Sequence, residues 1–236
     1  MGFFEDIKPM FKKRDLIFLE SLRESENVYS FHFDKADDLH WKPGQHGIFA
    51  ITHKKIKKPT RPFSVASSPS ENIIKISMEI TSNPSEFKKA MLELKKGMKV
   101  SIRGPFGPLH LDHMSPSLFI AGGIGITPIR AILKDVESHR NNGTNTMKLL
   151  YLDSKGSYLY KDELQVIASS TPLEIQFLKA REELYLGIDE FVKQYKNSGK
   201  YFVAGPKSLV DSATSYLKQN GISKHCIKKD VFFGYK

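Results

Sequence analysis

The chain has 236 residues, 40% hydrophobic and 26% charged, a balance that places it among folded globular proteins and excludes disordered and collagen-like polymers. Lys and Arg outnumber Asp and Glu by 36 to 26, and the formal charge of +10 favours an acidic partner. The single cysteine, Cys226, allows no internal disulfide and no cysteine-ligated cluster or zinc site from this chain alone, so any redox centre is organic.

At this length two domains of about 100 to 150 residues are expected. No run approaches the roughly 20 apolar residues of a membrane span, and the opening MGFFEDIKPM lacks the basic-then-apolar order of a secretory signal. The expected location is the cytoplasm. Phe3, Phe4, Ile7, Met10 and Phe11 recur at near-helical spacing ahead of Lys12, Lys13 and Arg14, as a surface-lying anchor would; Pro9 interrupts them, and packing against the body is expected instead.

From Asp15 to about Arg103 the chain reads as short strands separated by turn residues. Tyr29, Phe31 and Phe33 alternate with Ser30, His32 and Asp34, the period-two pattern of a strand with one buried face. Further strands are expected at Gly47–Ile51, Phe63–Ala66, Ile73–Ile80 and Met98–Ile102. Together they predict a small antiparallel barrel or sandwich. One helix interrupts it, opening at Pro84 and Ser85, carrying Phe87, Ala90, Met91 and Leu94 at helical spacing and ending before Gly97. The stretch Gly104-Pro105-Phe106-Gly107-Pro108 marks the exit from this half, and residues 113–116 read as the link to the next.

Beyond the link the rhythm becomes strand, helix, strand, helix. Strands are expected at Leu118–Ala121, Met147–Leu152, Leu173–Leu178, Tyr201–Ala204 and Cys226–Phe232. Helices are expected at Pro128–Arg140, Lys161–Ala168, Ile188–Tyr195 and Ser208–Asn220. This alternation predicts a doubly wound parallel sheet, which holds nucleotides outside the carboxyl ends of its strands. The domains predicted are thus an N-terminal antiparallel β-barrel over residues 1–113 and an α/β domain over residues 114–236.

Two motifs carry chemistry. Arg61-Pro62-Phe63-Ser64 offers a fixed cation for a phosphate, an aromatic face for a flat ring and a hydroxyl beside it. Gly122-Gly123-Ile124-Gly125-Ile126-Thr127-Pro128 follows an apolar strand and opens a helix, with Thr127 able to cap and Pro128 suited to the first helical position. A pyrophosphate there would face free N–H groups and the positive end of a helix dipole. Gly205-Pro206 follows a later strand of the same sheet and lies on the same rim, so two backbone-bare turns would frame a cleft for a nicotinamide.

In order and spacing these motifs resemble the ferredoxin–NADP reductase-like superfamily of flavin reductases over nearly the full chain. Pro43-Gly44-Gln45 resembles the family's strand-opening turn and Arg61-Pro62-Phe63-Ser64 its flavin signature. Gly104-Pro105-Phe106-Gly107 resembles its interdomain turn. The glycine run, Gly205-Pro206 and the aromatic end from Asp230 to Tyr235 complete the series. The resemblance implies FAD as cofactor, with Arg61 on the pyrophosphate, Phe63 packed along the flavin and Ser64 hydrogen-bonding near flavin N5. It also implies Ser85, Glu86 and Phe87 at a phosphate-binding helix start, and the backbone of Met78, Glu79 and Ile80 along the ring. Phe63 replaces the family's more frequent tyrosine, and Ala204 the cysteine of its Cys-Gly-Pro motif. Phe232 or Tyr235 would stack on the exposed flavin face until nicotinamide displaces it.

Donor preference turns on the loop after the second strand of the α/β domain. Asp153 would accept from a free 2′-hydroxyl, whereas Ser154 and Lys155 could bind a 2′-phosphate, so NADPH and NADH both remain open, with a slight lean to NADPH. The activity expected is hydride transfer from NAD(P)H to FAD and single-electron delivery to a separate acceptor, such as an acidic ferredoxin or flavodoxin. The alternatives are an electron-transfer subunit of a larger oxidoreductase and a nicotinamide-sensing module without turnover. The run His53-Lys54-Lys55-Ile56-Lys57-Lys58 lacks the interleaved aromatics of a nucleic-acid binder, and no nucleic-acid role is expected.

Overall fold

The computed structural model describes residues 12–111, 115–139 and 146–232. The Phe-rich N-terminal segment, the expected domain boundary at His113, Arg140 at the predicted helix end, and Phe233 and Tyr235 lie outside these. The chain divides into two compact units, Met1–His110 and Leu111–Lys236.

The first unit is a six-stranded antiparallel sheet in the order β4-β3-β6-β1-β2-β5. Its strands are β1 (Lys13–Arg23), β2 (Val28–Asp34), β3 (His46–Ile51), β4 (Thr60–Ser64), β5 (Ile73–Glu79) and β6 (Lys99–Phe106), with helix α1 (Glu86–Leu92) between the last two. One face of every long strand is apolar, and Leu16, Phe18, Phe31, Phe33, Phe49, Ile74, Ile76, Val100 and Ile102 close on one another with Phe87, Ala90 and Met91 of α1. Burial of such side chains contributes about 1.5–3 kcal/mol each. Pro62 is accommodated because β4 is the terminal strand of the sheet, where a missing N–H costs least.

Two expectations are corrected here. The alternation in β2 is not one-sided, because Ser30 and His32 are buried as well as Phe31 and Phe33. Ser30 and Ser77 share a 2.6 Å hydrogen bond across the β2–β5 pair, and His32 Nδ1 meets Glu20 Oε1 at 3.1 Å, while His32 Nε2 is buried without a hydrogen-bond partner among the described residues. Of the stretch 104–108, Gly104-Pro105-Phe106 belongs to β6, where Phe106 pairs with His46 and their rings meet edge-on at 4.6 Å, and only Gly107-Pro108 lies beyond the strand, close to the end of the unit at His110.

The second unit is a five-stranded parallel sheet in the order β11-β10-β7-β8-β9. Chain order is β7 (Ser117–Gly122), α2 (Ile126–Ser138), β8 (Met147–Leu152), α3 (Lys161–Ser170), β9 (Leu173–Leu178), α4 (Arg181–Tyr195), β10 (Lys200–Pro206), α5 (Lys207–Gln219) and β11 (Ile227–Phe232). The chain winds outward from β7 to β9, then returns to build β10 and β11 on the other side of β7. The strand order therefore reverses between β7 and β10, the topological switch point of an open α/β sheet. The predicted start of α4 at Ile188 falls seven residues late. Its first turns, Arg181-Glu182-Glu183, are charged and hid the period, while Leu184, Gly187 and Ile188 form the buried face. Among the described residues, no helix is long and apolar enough to cross a membrane.

Candidate functional site

In the first unit, β4 puts Arg61 and Phe63 on one face by its period of two. The Phe63 ring lies 5.6 Å from that of Phe87 and 6.0 Å from that of Phe49, and the Arg61 guanidinium stands 5.9 Å from the Phe87 centroid. Arg61 donates to the carbonyl of Thr60 at 2.8 Å and makes no ion pair with a carboxylate among the described residues. Ser64 is buried, and Phe63 is half-buried against the core.

Ser85 caps α1 as expected, its Oγ accepting from the Lys88 N–H at 3.4 Å. One turn along, Lys88 brings a second cation that sequence reasoning missed. Burial lowers its ammonium below the ordinary value; Glu79 pulls it back up, and the charge of Arg61 pushes it further down, so the two cations share one electrostatic environment. That arrangement suits a dianionic pyrophosphate, as FAD would bring. The signal was present as the i, i+3 spacing of Ser85 and Lys88.

The other residues of this group are less available than the sequence suggested. The Phe87 ring is core, 1% exposed, and Glu86 Oε2 accepts the Lys57 N–H at 3.2 Å. Met78 is fully buried, and the Ile80 N–H is taken by the Asn27 carbonyl at 2.6 Å. The basic run is likewise not simply a solvated loop: Lys54 Nζ pairs with both carboxylate oxygens of Glu93, at 2.7 and 2.6 Å, and the loop is held to α1 at both ends of that helix.

In the second unit the glycine run and Gly205-Pro206 do meet. β7 and β10 are ladder neighbours, with Ala121 opposite Ala204. A methyl on Gly205 would stand 3.0 Å from the Gly122 carbonyl oxygen, and one on Gly122 would stand 2.2 Å from Leu209 Cδ2. Gly123 has φ +50° and open space around it, so the turn exposes backbone at this position. The roles given to Thr127 and Pro128 need correction. A single 3₁₀ turn, Gly123–Gly125, precedes α2, the N-cap is Gly125, and Thr127 lies inside the helix with its hydroxyl donating to the Ile124 carbonyl at 3.0 Å. Pro128 is the third helical residue, where a missing N–H still costs nothing.

Asp153 follows β8, and its Oδ1 accepts the N–H groups of Lys155 at 2.9 Å and Ser157 at 3.3 Å. One oxygen of the expected ribose acceptor thus shapes the loop itself. Lys155 and Ser154 are exposed. Lys179, just past β9, belongs beside them: a methyl on Gly156 would stand 3.1 Å from its Cε and 3.6 Å from its Nζ. Nothing in the local sequence flagged Lys179, because the contact joins two loops of adjacent strands. Phe232 ends β11 directly opposite Pro206.

Residues 10–110 match the family model of an FAD-binding domain, and residues 119–214 that of an oxidoreductase NAD-binding domain. Flavohemoprotein A of Dictyostelium discoideum is 24% identical over 243 residues, covering 93% of this chain and 60% of its own. The probable dihydroorotate dehydrogenase B (NAD(+)) electron transfer subunit of Methanocaldococcus jannaschii is 30% identical over 149 residues, 63% of this chain and 51% of its own. Among solved structures, ferredoxin-NADP+ reductase from Plasmodium falciparum superposes with a TM-score of 0.80 at 20% identity, covering 93% of this chain and 96% of that one. The chain spans about 60% of the length of the flavohemoproteins it matches.

Proposed function

The chain belongs to the ferredoxin–NADP reductase-like superfamily of FAD- and NAD(P)-binding oxidoreductases, and from that premise we propose that it is a reductase that takes hydride from NADPH and delivers electrons to a separate acceptor. When bound, FAD supplies the exchange between a two-electron donor and one-electron acceptors. Arg61 and Lys88 hold its pyrophosphate, Phe63 packs along the ring, and Ser64 hydrogen-bonds near N5. The glycine turn and Gly205-Pro206 would receive the nicotinamide donor, and Phe232 or Tyr235 is the candidate for the aromatic that would stack on the flavin.

The observation that carries the reading is the meeting of the two backbone-bare turns at the point where the strand order of the parallel sheet reverses. NADPH is favoured over NADH because one Asp153 oxygen is committed to its own loop, while Lys155 is exposed on that loop and Lys179 packs against it at Gly156. The acceptor class that suits the exposed lysines at 55, 57 and 58 is an acidic electron-carrier protein in the cytoplasm. The test is the spectrum of the purified protein: bound flavin should give a yellow protein that NADPH bleaches within seconds. A colourless preparation that does not take up added FAD refutes the reading.

The resemblance to an electron transfer subunit favours one second reading, in which the same chemistry runs only inside a larger assembly. Full dye reduction by the isolated chain separates the two.

A further inference from the structure

Tyr151 lies near the carboxyl end of β8, an interior strand of the second unit's sheet, and is fully buried. Its hydroxyl donates to the Gly123 carbonyl at 2.9 Å and accepts the Leu159 N–H at 3.1 Å. Gly123 opens the glycine turn after β7, and Leu159 closes the loop that begins at Asp153. One side chain therefore ties two backbone segments that neither sheet ladder nor helix connects. Burial pushes the phenol far above its ordinary range, so it stays neutral and can donate and accept at once. Tyr158 and Phe177 pack its ring at 5.3 and 6.2 Å and fix its orientation.

A second tie runs alongside. Arg130 of α2 reaches Glu163 Oε2 at 2.8 Å in the first turn of α3 and stands 5.1 Å over the Tyr160 ring, again joining the helix behind the glycine turn to the exit of the 153–159 loop. The turn needs such an anchor: Gly123 has a positive φ and no atom within 4 Å of where its Cβ would stand, so packing at that residue does not hold its shape.

We propose that Tyr151 is a positioning residue for the nicotinamide donor, its hydroxyl latching the turn that meets the pyrophosphate to the loop that meets the adenosine ribose, so that both are presented as one preformed surface. The proposal rests on the nucleotide-binding reading of those two segments. A preformed surface spares the donor the cost of ordering each segment on arrival, which raises affinity without touching the reacting atoms.

Tyr151→Phe keeps the ring and removes the latch, leaving the part-buried Gly123 carbonyl and the buried Leu159 N–H without that partner. The expected result is a rise of about tenfold in KM for NADPH and for NADH in dye reduction, with kcat at saturating donor within about twofold of the parent and flavin content unchanged. In a double-mutant cycle, Lys155→Ala should cost less in the Tyr151→Phe background than in the parent, because the loop it stands on is already released. A folded, flavin-replete Tyr151→Phe protein with parental KM overturns the proposal, and so does a strictly additive cycle. If neither donor bleaches the flavin of the parent, the nucleotide reading itself fails and takes the latch with it. Should Tyr151→Phe not fold, hydrogen exchange of the parent decides: the Leu159 amide should exchange as slowly as the central amides of β8, and fast exchange overturns the proposal.

Discussion

A methyl group on Gly125 would stand 2.3 Å from the carbonyl oxygen of Ala204. The two turns at the switch point are in backbone-to-backbone contact, and neither has a flexible side chain that could yield. Gly125→Ala should therefore lower the melting temperature by several degrees, as overpacking by about 1–3 kcal/mol does, and weaken NADPH-dependent flavin reduction more than FAD retention. Differential scanning fluorimetry with flavin quantitation checks this; a parental melting curve would show that the turns can separate freely.

The paired cations of the first unit make a separate prediction. Removing a charge-assisted contact to the pyrophosphate costs about 1.5–3 kcal/mol, so Arg61→Ala should weaken FAD binding by roughly 10- to 100-fold, and Lys88→Ala by less. Ser64→Ala should mainly slow flavin reduction. FAD titration of the deflavinated proteins measures the first pair; unchanged affinity in Arg61→Ala removes this residue from the cofactor site.

Donor choice can be read at two lysines. Lys155→Ala and Lys179→Ala should each lower kcat/KM for NADPH several-fold more than for NADH, since only the phosphorylated ribose presents the extra charge. Equal losses with both donors would take the loop out of the selection.

The lysines at 54, 55, 57 and 58 bear on the acceptor. Lys54 is partly neutralised by Glu93, so the other three should dominate. Replacing all four with Gln should slow transfer to an acidic carrier protein at low salt and leave reduction of a small neutral dye nearly unchanged. Stopped-flow rates across ionic strength test it, and parental transfer at low salt would reduce the run to a surface loop.

His32 gives a pH signature. Burial, and then the Lys75 ammonium opposite it on β5, hold the imidazole below its ordinary 6.5, against the pull of Glu20 and Glu24. A base with a depressed folded pKa is protonated more readily when unfolded. Its contribution to stability is complete above pH 6.5 and is lost as the pH falls from there through the folded value. The melting temperature should thus drop less between pH 7.5 and 5.5 in His32→Gln than in the parent.

Which of these features could be read from the chain depended on their range. Met147–Leu152 and Leu173–Leu178 match β8 and β9 residue for residue: β8, an interior strand, is apolar but for Lys148, whereas β9, at the sheet edge, alternates Leu173, Ile175 and Phe177 with Glu174 and Gln176. Arg61 and Phe63 share a face by alternation alone. What escaped was set by contacts between distant segments. Nothing in the sequence separates Tyr151 from a core aromatic; its hydroxyl's contacts with Gly123 and Leu159 do, as the contact with Gly156 does for Lys179. The Ser30 and His32 row defeated the period-two reading of β2 because cross-strand partners, invisible to periodicity, make a buried polar face affordable.

The pairing of β10 with β11 acts as a ruler. Tyr201 through Pro206 lie opposite Ile227 through Phe232 without a slip, so the last aromatic of the strand is measured off from the Gly205-Pro206 turn one rung at a time. Because successive side chains point to opposite faces, a one-residue deletion in the 220–226 connection that moved the register would carry Phe232 to the other side of the sheet, whereas a two-residue change would return a side chain to the same side, one repeat along. The length of that connection, more than its composition, decides which face of the sheet the terminal aromatic serves.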